Sequence, residues 1–163
     1  MNFKIKMKII LSICLVFCLA ASVNSIRLRT HTRSHSTTSQ TWQAYVDQGL
    51  VGVGMSGALI MGLDGNVLAS KNLNLKSTES SRIIASLAVP SLVLREGVFV
   101  NGIVYQTLKA DSSSIYGRGG AGGVILAKTG KTVIIGTFGA NLQQNAAIDA
   151  VEKLAAFVRS IGY

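Results

Sequence analysis

The sequence predicts an α+β fold for residues 41–163, and three features indicate it. Asn101-Gly102 between β-branched residues is typical of a tight antiparallel hairpin, because both turn positions need positive φ. Apolar residues recur at helical spacing at both ends of this region, in a short helix that begins at Thr41 and in a long one from Ala147 to Ile161. Since each helix must bury its apolar side, we expect both to pack on a sheet face.

The first elements are a helix and a hairpin. Thr41 can cap a helix that runs to about Gln48, with Gly49 as its stop. Strands are expected from Ser56 to Gly62 and from Val67 to Ser70. The residues between them, 63–66, read Leu-Asp-Gly-Asn and predict the turn.

The remaining elements are a second helix, about five strands and the last helix. Thr78 to Val89 has helical spacing, and Pro90 ends or interrupts this helix. The expected strands are Gly97 to Val100, Ile103 to Tyr105, Ser113 to Tyr116, Gly122 to Ala127 and Thr132 to Phe138. The long C-terminal helix ends at Gly162-Tyr163. Tight hairpins dominate this order, so the sheet should be antiparallel.

The first 40 residues differ in composition from the rest of the chain. The formal net charge is +9, from 16 basic and 7 acidic residues, and the first 40 residues hold six of the basic residues and none of the acidic ones. Lys4, Lys6 and Lys8 precede an apolar run from Ile9 to Ala21, followed by small residues, which is typical of a secretory signal peptide over residues 1–25. This run is shorter than the ~20 residues that span a bilayer.

Residues 26–40 are basic, polar and non-periodic, so they are expected to form a disordered arm or a pro-segment. A mitochondrial transit peptide is the competing interpretation of the leader, because it has no acidic residue and this arm is rich in Arg, Ser and Thr. The unbroken apolar run disfavours it, since transit peptides are amphipathic.

The composition argues against an enzyme, a metal site or a nucleic-acid-binding protein. Residues 41–163 contain no histidine and no cysteine, which removes the usual acid–base and thiol groups, and their acidic residues show no paired spacing. Gly130-Lys131-Thr132 matches the end of a phosphate-binding loop, but Ile125 stands where that loop needs glycine. No basic stripe with interleaved aromatic residues is present in this region. We therefore expect a binding protein without a cofactor and without a nucleic-acid partner.

Four motifs between residues 41 and 163 together resemble the profilin family. They are Thr-Trp-Gln-Ala-Tyr-Val-Asp at residues 41–47, Asp-Gly-Asn-Val at 64–67, the glycine-rich stretch and Lys-Thr-Gly-Lys between 119 and 131, and Val-Glu-Lys-Leu at 151–154 with the Gly-Tyr ending. The resemblance implies an antiparallel sheet of about six or seven strands, with the N- and C-terminal helices packed together on one face. It also implies monomeric actin, proline-rich peptides and anionic phosphoinositides as partners.

The resemblance implies a polyproline-binding groove between the two terminal helices. The residues that match its aromatic lining are Trp42, Tyr45, Phe157 and Tyr163. A polyproline II ligand is preformed and apolar, and it docks on such rings. Leu68 stands where the family has a further aromatic residue, so we expect a lower affinity for peptides.

The positions that match the family's actin-binding or phosphoinositide-binding basic residues are Arg118, Lys128 and Lys131. Two function hypotheses follow. The first is a cytoplasmic, cytoskeletal protein that regulates actin polymerisation. The alternative is a secreted or organelle-bound interaction protein that has the profilin fold and does not bind actin, because the leader predicts entry into the secretory pathway.

Overall fold

The computed structural model describes residues 41–163, and the leader and the arm predicted for residues 1–40 lie outside this range. The described residues form a seven-stranded antiparallel sheet in the order β2-β1-β7-β6-β5-β4-β3. Its strands are β1 (Gly57–Gly62), β2 (Val67–Lys71), β3 (Val98–Val100), β4 (Ile103–Ala110), β5 (Ser114–Gly119), β6 (Gly122–Lys128) and β7 (Thr132–Phe138). The α+β class and the antiparallel sheet predicted from the sequence are confirmed.

Four helical segments accompany the sheet. The first, α1, covers residues 41–53 and changes from an α-helix into a π-helix at Tyr45–Leu50 and a short 3-10 helix at Val51–Val53. The others are α2 (Ser77–Ala88), α3 (Pro90–Glu96) and α4 (Gln144–Ser160). Within residues 41–163, no helix has the length and apolar character needed to cross a bilayer.

The two faces of the sheet bury separate cores, because successive side chains of a strand point to opposite faces. One core joins α1 and α4 to the sheet, through residues such as Val46, Val151 and Ile134. The other core joins α2 and α3 to the sheet, through residues such as Ile83 and Ile135. The two terminal helices therefore share one face, as the resemblance implied.

A buried carboxylate connects α2 to the turn between β3 and β4. Glu79 is 4% exposed. Its Oε2 accepts a hydrogen bond from the Lys76 backbone N–H at 2.8 Å, and its Oε1 accepts one from the Gly102 N–H at 2.8 Å. Asn101 and Gly102 have φ of 52° and 77°, which confirms the turn predicted from Asn-Gly.

Several predicted elements differ from the structure: the strand expected from Ile103 to Tyr105 extends to Ala110, and the helix α3 was not predicted. Gly49 was expected to stop the first helix, but the helix continues to Val53 and Gly54, with φ of 104°, ends it. The reason is that Leu50 is fully buried, so packing of the next turn outweighs the low helix propensity of glycine. Pro90 does interrupt the helical pattern, and it is the first residue of α3. The backbone N–H at this position of a helix has no acceptor within the helix, so proline, which lacks that N–H, costs no hydrogen bond there.

Candidate functional site

The helices α1 and α4 lie antiparallel on the sheet, which brings the start of one beside the end of the other. Trp42 contacts Tyr163, and Tyr45 contacts Phe157. One turn further along α1, Gly49 faces the Leu154 side chain. Residue numbers rise along α1 as they fall along α4, so a single groove runs between the two helices.

The four aromatic residues that the resemblance assigned to peptide binding form one continuous row. The ring centroids of Trp42 and Tyr163 are 5.0 Å apart, those of Trp42 and Tyr45 are 5.8 Å apart, and those of Tyr45 and Phe157 are 5.5 Å apart. All three contacts are edge-to-face, the arrangement that aromatic quadrupoles favour. The structure therefore brings these four residues together.

The rings of this row differ in exposure. Trp42 is only 4% exposed, whereas Phe157 is 45% exposed and Tyr163 is 37% exposed. Tyr45 is half-buried. Trp42 therefore forms the floor of the row and joins it to the core beneath, while Phe157 and Tyr163 present ring surface to a ligand.

The position of Tyr163 is set by backbone hydrogen bonds on both sides. Its N–H donates to the Val158 carbonyl at 3.1 Å, and its carbonyl oxygen accepts from the Gly130 N–H at 3.2 Å. The turn between β6 and β7 thus holds the end of the row. The Lys131 ammonium lies 5.0 Å from the centroid of the Tyr163 ring, within the range of a cation–π contact.

The structure does not bring the three predicted basic residues together. Arg118 on β5 lies opposite Gly123 on β6. Lys128 is five residues further along β6, which corresponds to about 17 Å of extended strand. Lys131 lies beside the aromatic row, so Arg118 is separate from the two lysines.

A basic residue that the sequence analysis missed lies near those lysines. The Arg159 Nη2 donates a hydrogen bond to the Lys128 carbonyl oxygen at 2.6 Å. This contact connects the last turn of α4 to the end of β6. The only sequence signal for Arg159 is its place in the last turn of α4, where a positive charge interacts favourably with the helix dipole.

A polar network that the sequence analysis also missed joins α4 to β4 and β5. The Tyr116 hydroxyl donates to Glu152 Oε1 at 3.0 Å, and the Lys109 ammonium lies 5.0 Å from the Tyr116 ring centroid. Lys109 Nζ also pairs with Asp111 Oδ2 at 3.0 Å. Burial, with a smaller contribution from Glu152, raises the pKa of the Tyr116 hydroxyl above its usual range. This hydroxyl is therefore a neutral hydrogen-bond donor at physiological pH.

Asp111 terminates this network and shapes the turn between β4 and β5. Its Oδ1 accepts hydrogen bonds from the Ser113 hydroxyl at 2.6 Å and from the N–H groups of Ser113 and Ser114 at 2.8 and 2.7 Å. The Ser113 hydroxyl contributes most to lowering the pKa of this carboxyl, and the two backbone donors and Lys109 lower it further.

Within residues 41–163, no three histidine, cysteine, aspartate or glutamate side chains are grouped as a metal site would need.

Comparison with known proteins relates the described region to the profilin family. The profilin family model matches residues 40–163. Profilin-A of Physarum polycephalum is 52% identical over 124 residues, which are 76% of this chain and 99% of that protein. Profilin-1 of Dictyostelium discoideum is 38% identical over 125 residues, again 76% of this chain and 99% of that protein.

Solved structures give the same result. Profilin IB of Acanthamoeba castellanii superposes with a TM-score of 0.72 at 35% identity, covering 75% of this chain and 99% of that one. Rat profilin 2a superposes with a TM-score of 0.63 at 15% identity, which shows a shared fold. Over residues 40–163, this chain belongs to the profilin family.

Proposed function

We propose that this protein regulates actin by binding actin monomers and proline-rich peptides, and that the peptides bind across the aromatic row. The observation that carries the peptide part is the set of three edge-to-face contacts that align Trp42, Tyr45, Phe157 and Tyr163 in the groove between α1 and α4. Membership of the profilin family supports the actin part.

The chemistry of the row suits a polyproline II helix. Such a ligand has no internal hydrogen bonds, so it presents free carbonyl groups and an apolar ring surface. The rings of Phe157 and Tyr163 supply apolar contact area, and the Trp42 indole N–H and the Tyr45 hydroxyl are donors for ligand carbonyls. Because the rings support one another, little side-chain entropy is lost on binding.

The competing interpretation is that the row only packs the terminal helices onto the sheet. The burial of Trp42 fits that role, but Phe157 and Tyr163 expose ring surface beside the groove, and contiguous exposed apolar surface is typical of a binding site. Trp42 is the only tryptophan of the chain, so its fluorescence reports on the groove. We expect a saturable change on titration with a proline decamer, and no change up to millimolar peptide would contradict the proposal.

Actin binding is proposed for the surface that β4, β5 and the outer side of α4 form. Arg118 is exposed on β5, and the Tyr116–Glu152 hydrogen bond fixes α4 against this part of the sheet. Charges at the rim of an interface mainly affect the association rate and specificity. We expect Arg118→Glu to weaken the inhibition of actin polymerisation.

The matched control for this test is Lys76→Glu, which reverses an exposed charge at the start of α2, on the opposite face of the sheet. Equal effects of the two substitutions would show a general charge effect and contradict the placement of the actin surface. No effect of the natural protein on polymerisation would contradict actin regulation itself.

Anionic phosphoinositides are proposed to bind where Lys128, Lys131 and Arg159 lie, near the turn between β6 and β7. Each basic residue near an anionic membrane contributes about 1 kcal/mol, and salt screens this attraction. We expect binding to phosphoinositide vesicles that falls as ionic strength rises. Vesicle binding that Lys128→Ala and Lys131→Ala together leave unchanged would contradict this location.

The alternative function, a secreted or organelle-bound interaction protein without an actin partner, is favoured by the apolar run at residues 9–21. Cellular location distinguishes the two. We propose a cytoplasmic, cytoskeletal location from family membership, which a C-terminal fluorescent tag would test. Accumulation of the tagged chain in the secretory pathway would favour the alternative.

A further inference from the structure

The turn between β3 and β4 contains a residue pair that is prone to a spontaneous chemical change. Asn101 is the only asparagine of the chain that glycine follows. Asparagine is chemically labile because the backbone nitrogen of the next residue can attack its side-chain amide. Glycine has no side chain to hinder this attack. The sequence therefore indicates that Asn101 is the asparagine of this chain that is most prone to deamidation.

The surroundings of the turn leave room for this reaction. Asn101 and Gly102 are both exposed to solvent. A Cβ atom at Gly102 would meet no other part of the described chain within 4 Å, so no neighbouring element packs against this residue there. Side-chain packing therefore does not protect the pair, and any protection must come from the hydrogen bonds of the backbone.

A buried carboxylate holds the nitrogen that would attack. The Gly102 N–H donates to Glu79 Oε1 at 2.8 Å, and the Lys76 N–H donates to Glu79 Oε2, also at 2.8 Å. Glu79 is 4% exposed, so water has little access to these hydrogen bonds. The Gly102 nitrogen must lose its proton before it attacks, and the negative charge of the carboxylate disfavours that loss. The position of Glu79 therefore opposes the reaction.

We propose that Asn101 is a latent deamidation site and that Glu79 protects it by binding the Gly102 N–H. When this hydrogen bond opens, the Gly102 nitrogen loses its proton to hydroxide and forms a bond to Asn101 Cγ. The bond from Cγ to the side-chain nitrogen breaks, and that nitrogen takes up a proton from water and leaves as ammonia. The product is a cyclic imide. Water then adds to one of its carbonyl carbons and opens the ring, which leaves aspartate or isoaspartate at residue 101.

Either product would weaken the turn. Isoaspartate adds a methylene group to the backbone, whereas a hairpin with a two-residue loop depends on a defined turn geometry. Aspartate adds a negative charge to the loop that the Glu79 carboxylate already binds, and a like charge nearby is unfavourable. Because ammonia is released, the modified chains accumulate with time.

The test measures deamidation of the full chain during incubation at mildly alkaline pH. Trypsin releases the peptide of residues 96–109, and mass spectrometry gives the fraction in which aspartate or isoaspartate replaces Asn101. The same peptide, free in solution, is the unprotected reference. We expect the natural chain to react at least about tenfold more slowly than the peptide, because a hydrogen bond to a charged group must first open.

Glu79→Ala removes the acceptor, and we expect it to raise the deamidation rate of the chain at least about tenfold. Glu79→Gln keeps an uncharged acceptor of similar shape, so it should raise the rate less, and it is the second variant in case the first one does not fold. Leu87→Ala is the matched control. Leu87 is 2% exposed on the same helix, about two turns beyond Glu79, so its truncation destabilises the core and leaves the acceptor in place. This control should deamidate at the natural rate.

Three results would overturn the inference. A natural chain that deamidates as fast as the free peptide would show that the fold does not protect Asn101. Glu79 variants that deamidate at the natural rate would show that the protection does not come from Glu79. Equal acceleration by Leu87→Ala and Glu79→Ala would assign the effect to lost stability of the core. None of these results depends on actin or peptide binding, so the inference is independent of the proposed function.

Discussion

The substitution Phe157→Ala distinguishes between two roles of this ring, ligand binding and packing of the helices. Phe157 is 45% exposed and makes one edge-to-face contact, with Tyr45. Half the burial of a phenylalanine side chain and one aromatic pair together contribute about 1–2 kcal/mol to stability. A ring in a peptide groove contributes about 1–2 kcal/mol to binding, so Phe157→Ala should weaken peptide affinity about tenfold while the domain stays folded.

The neighbouring residue Val158 provides the control. It is fully buried, so Val158→Ala should cost about 2–3 kcal/mol of unfolding free energy and leave the affinity of the folded protein unchanged. Urea denaturation measures the stabilities, and titration with a proline decamer measures the affinities. A Phe157→Ala protein that loses as much stability as Val158→Ala and binds the peptide normally would refute the ligand role of the row.

Three further predictions concern the parts of the fold that support the site. Glu79→Ala should lower the free energy of unfolding in urea by about 2–3 kcal/mol, because the Gly102 N–H loses its charged acceptor. Asp111→Ala should lower stability at neutral pH, and the difference from the natural protein should shrink only as the pH falls below about 4, because the folded-state pKa of this carboxyl lies below its unfolded value and the stabilisation is lost between the two. Gly122→Ala should destabilise the sheet by more than about 2 kcal/mol, since a Cβ there overlaps the Phe138 carbonyl oxygen.

Each of these predictions has a contradicting result. A loss of less than about 0.5 kcal/mol for Glu79→Ala would mean that water replaces the carboxylate. An Asp111→Ala protein with the same acid unfolding curve as the natural one would show that this carboxyl is not linked to folding. Natural stability of Gly122→Ala would show that the β5–β6 connection can shift to make room.

Local signals in the sequence predicted most of the sheet correctly. Asn101 and Gly102 fix their turn because few residues other than asparagine and glycine adopt positive φ at low cost. The helix end expected at Gly49 was wrong, whereas Pro90 does end the helical pattern of α2 and also begins α3. Gly49 lies inside a helix that long-range packing of Leu50 extends, and a proline that ends one helix can also begin the next.

The composition of the aromatic row could be predicted from motifs, but its geometry could not. Trp42 and Tyr45 are neighbours on one helix, whereas their contacts to Tyr163 and Phe157 depend on how the two ends of the chain meet. The same applies to Lys131, whose place over Tyr163 depends on a backbone hydrogen bond across more than thirty residues. Side chains that meet only through tertiary packing carry no local sequence signal.

The most direct test of the peptide-binding site is a crystal structure of this protein with a proline decamer. We expect a polyproline II helix that lies between α1 and α4 and contacts Trp42, Tyr45, Phe157 and Tyr163, the four residues of the aromatic row. A decamer bound on any other surface, or a groove that stays empty at saturating peptide, would contradict it.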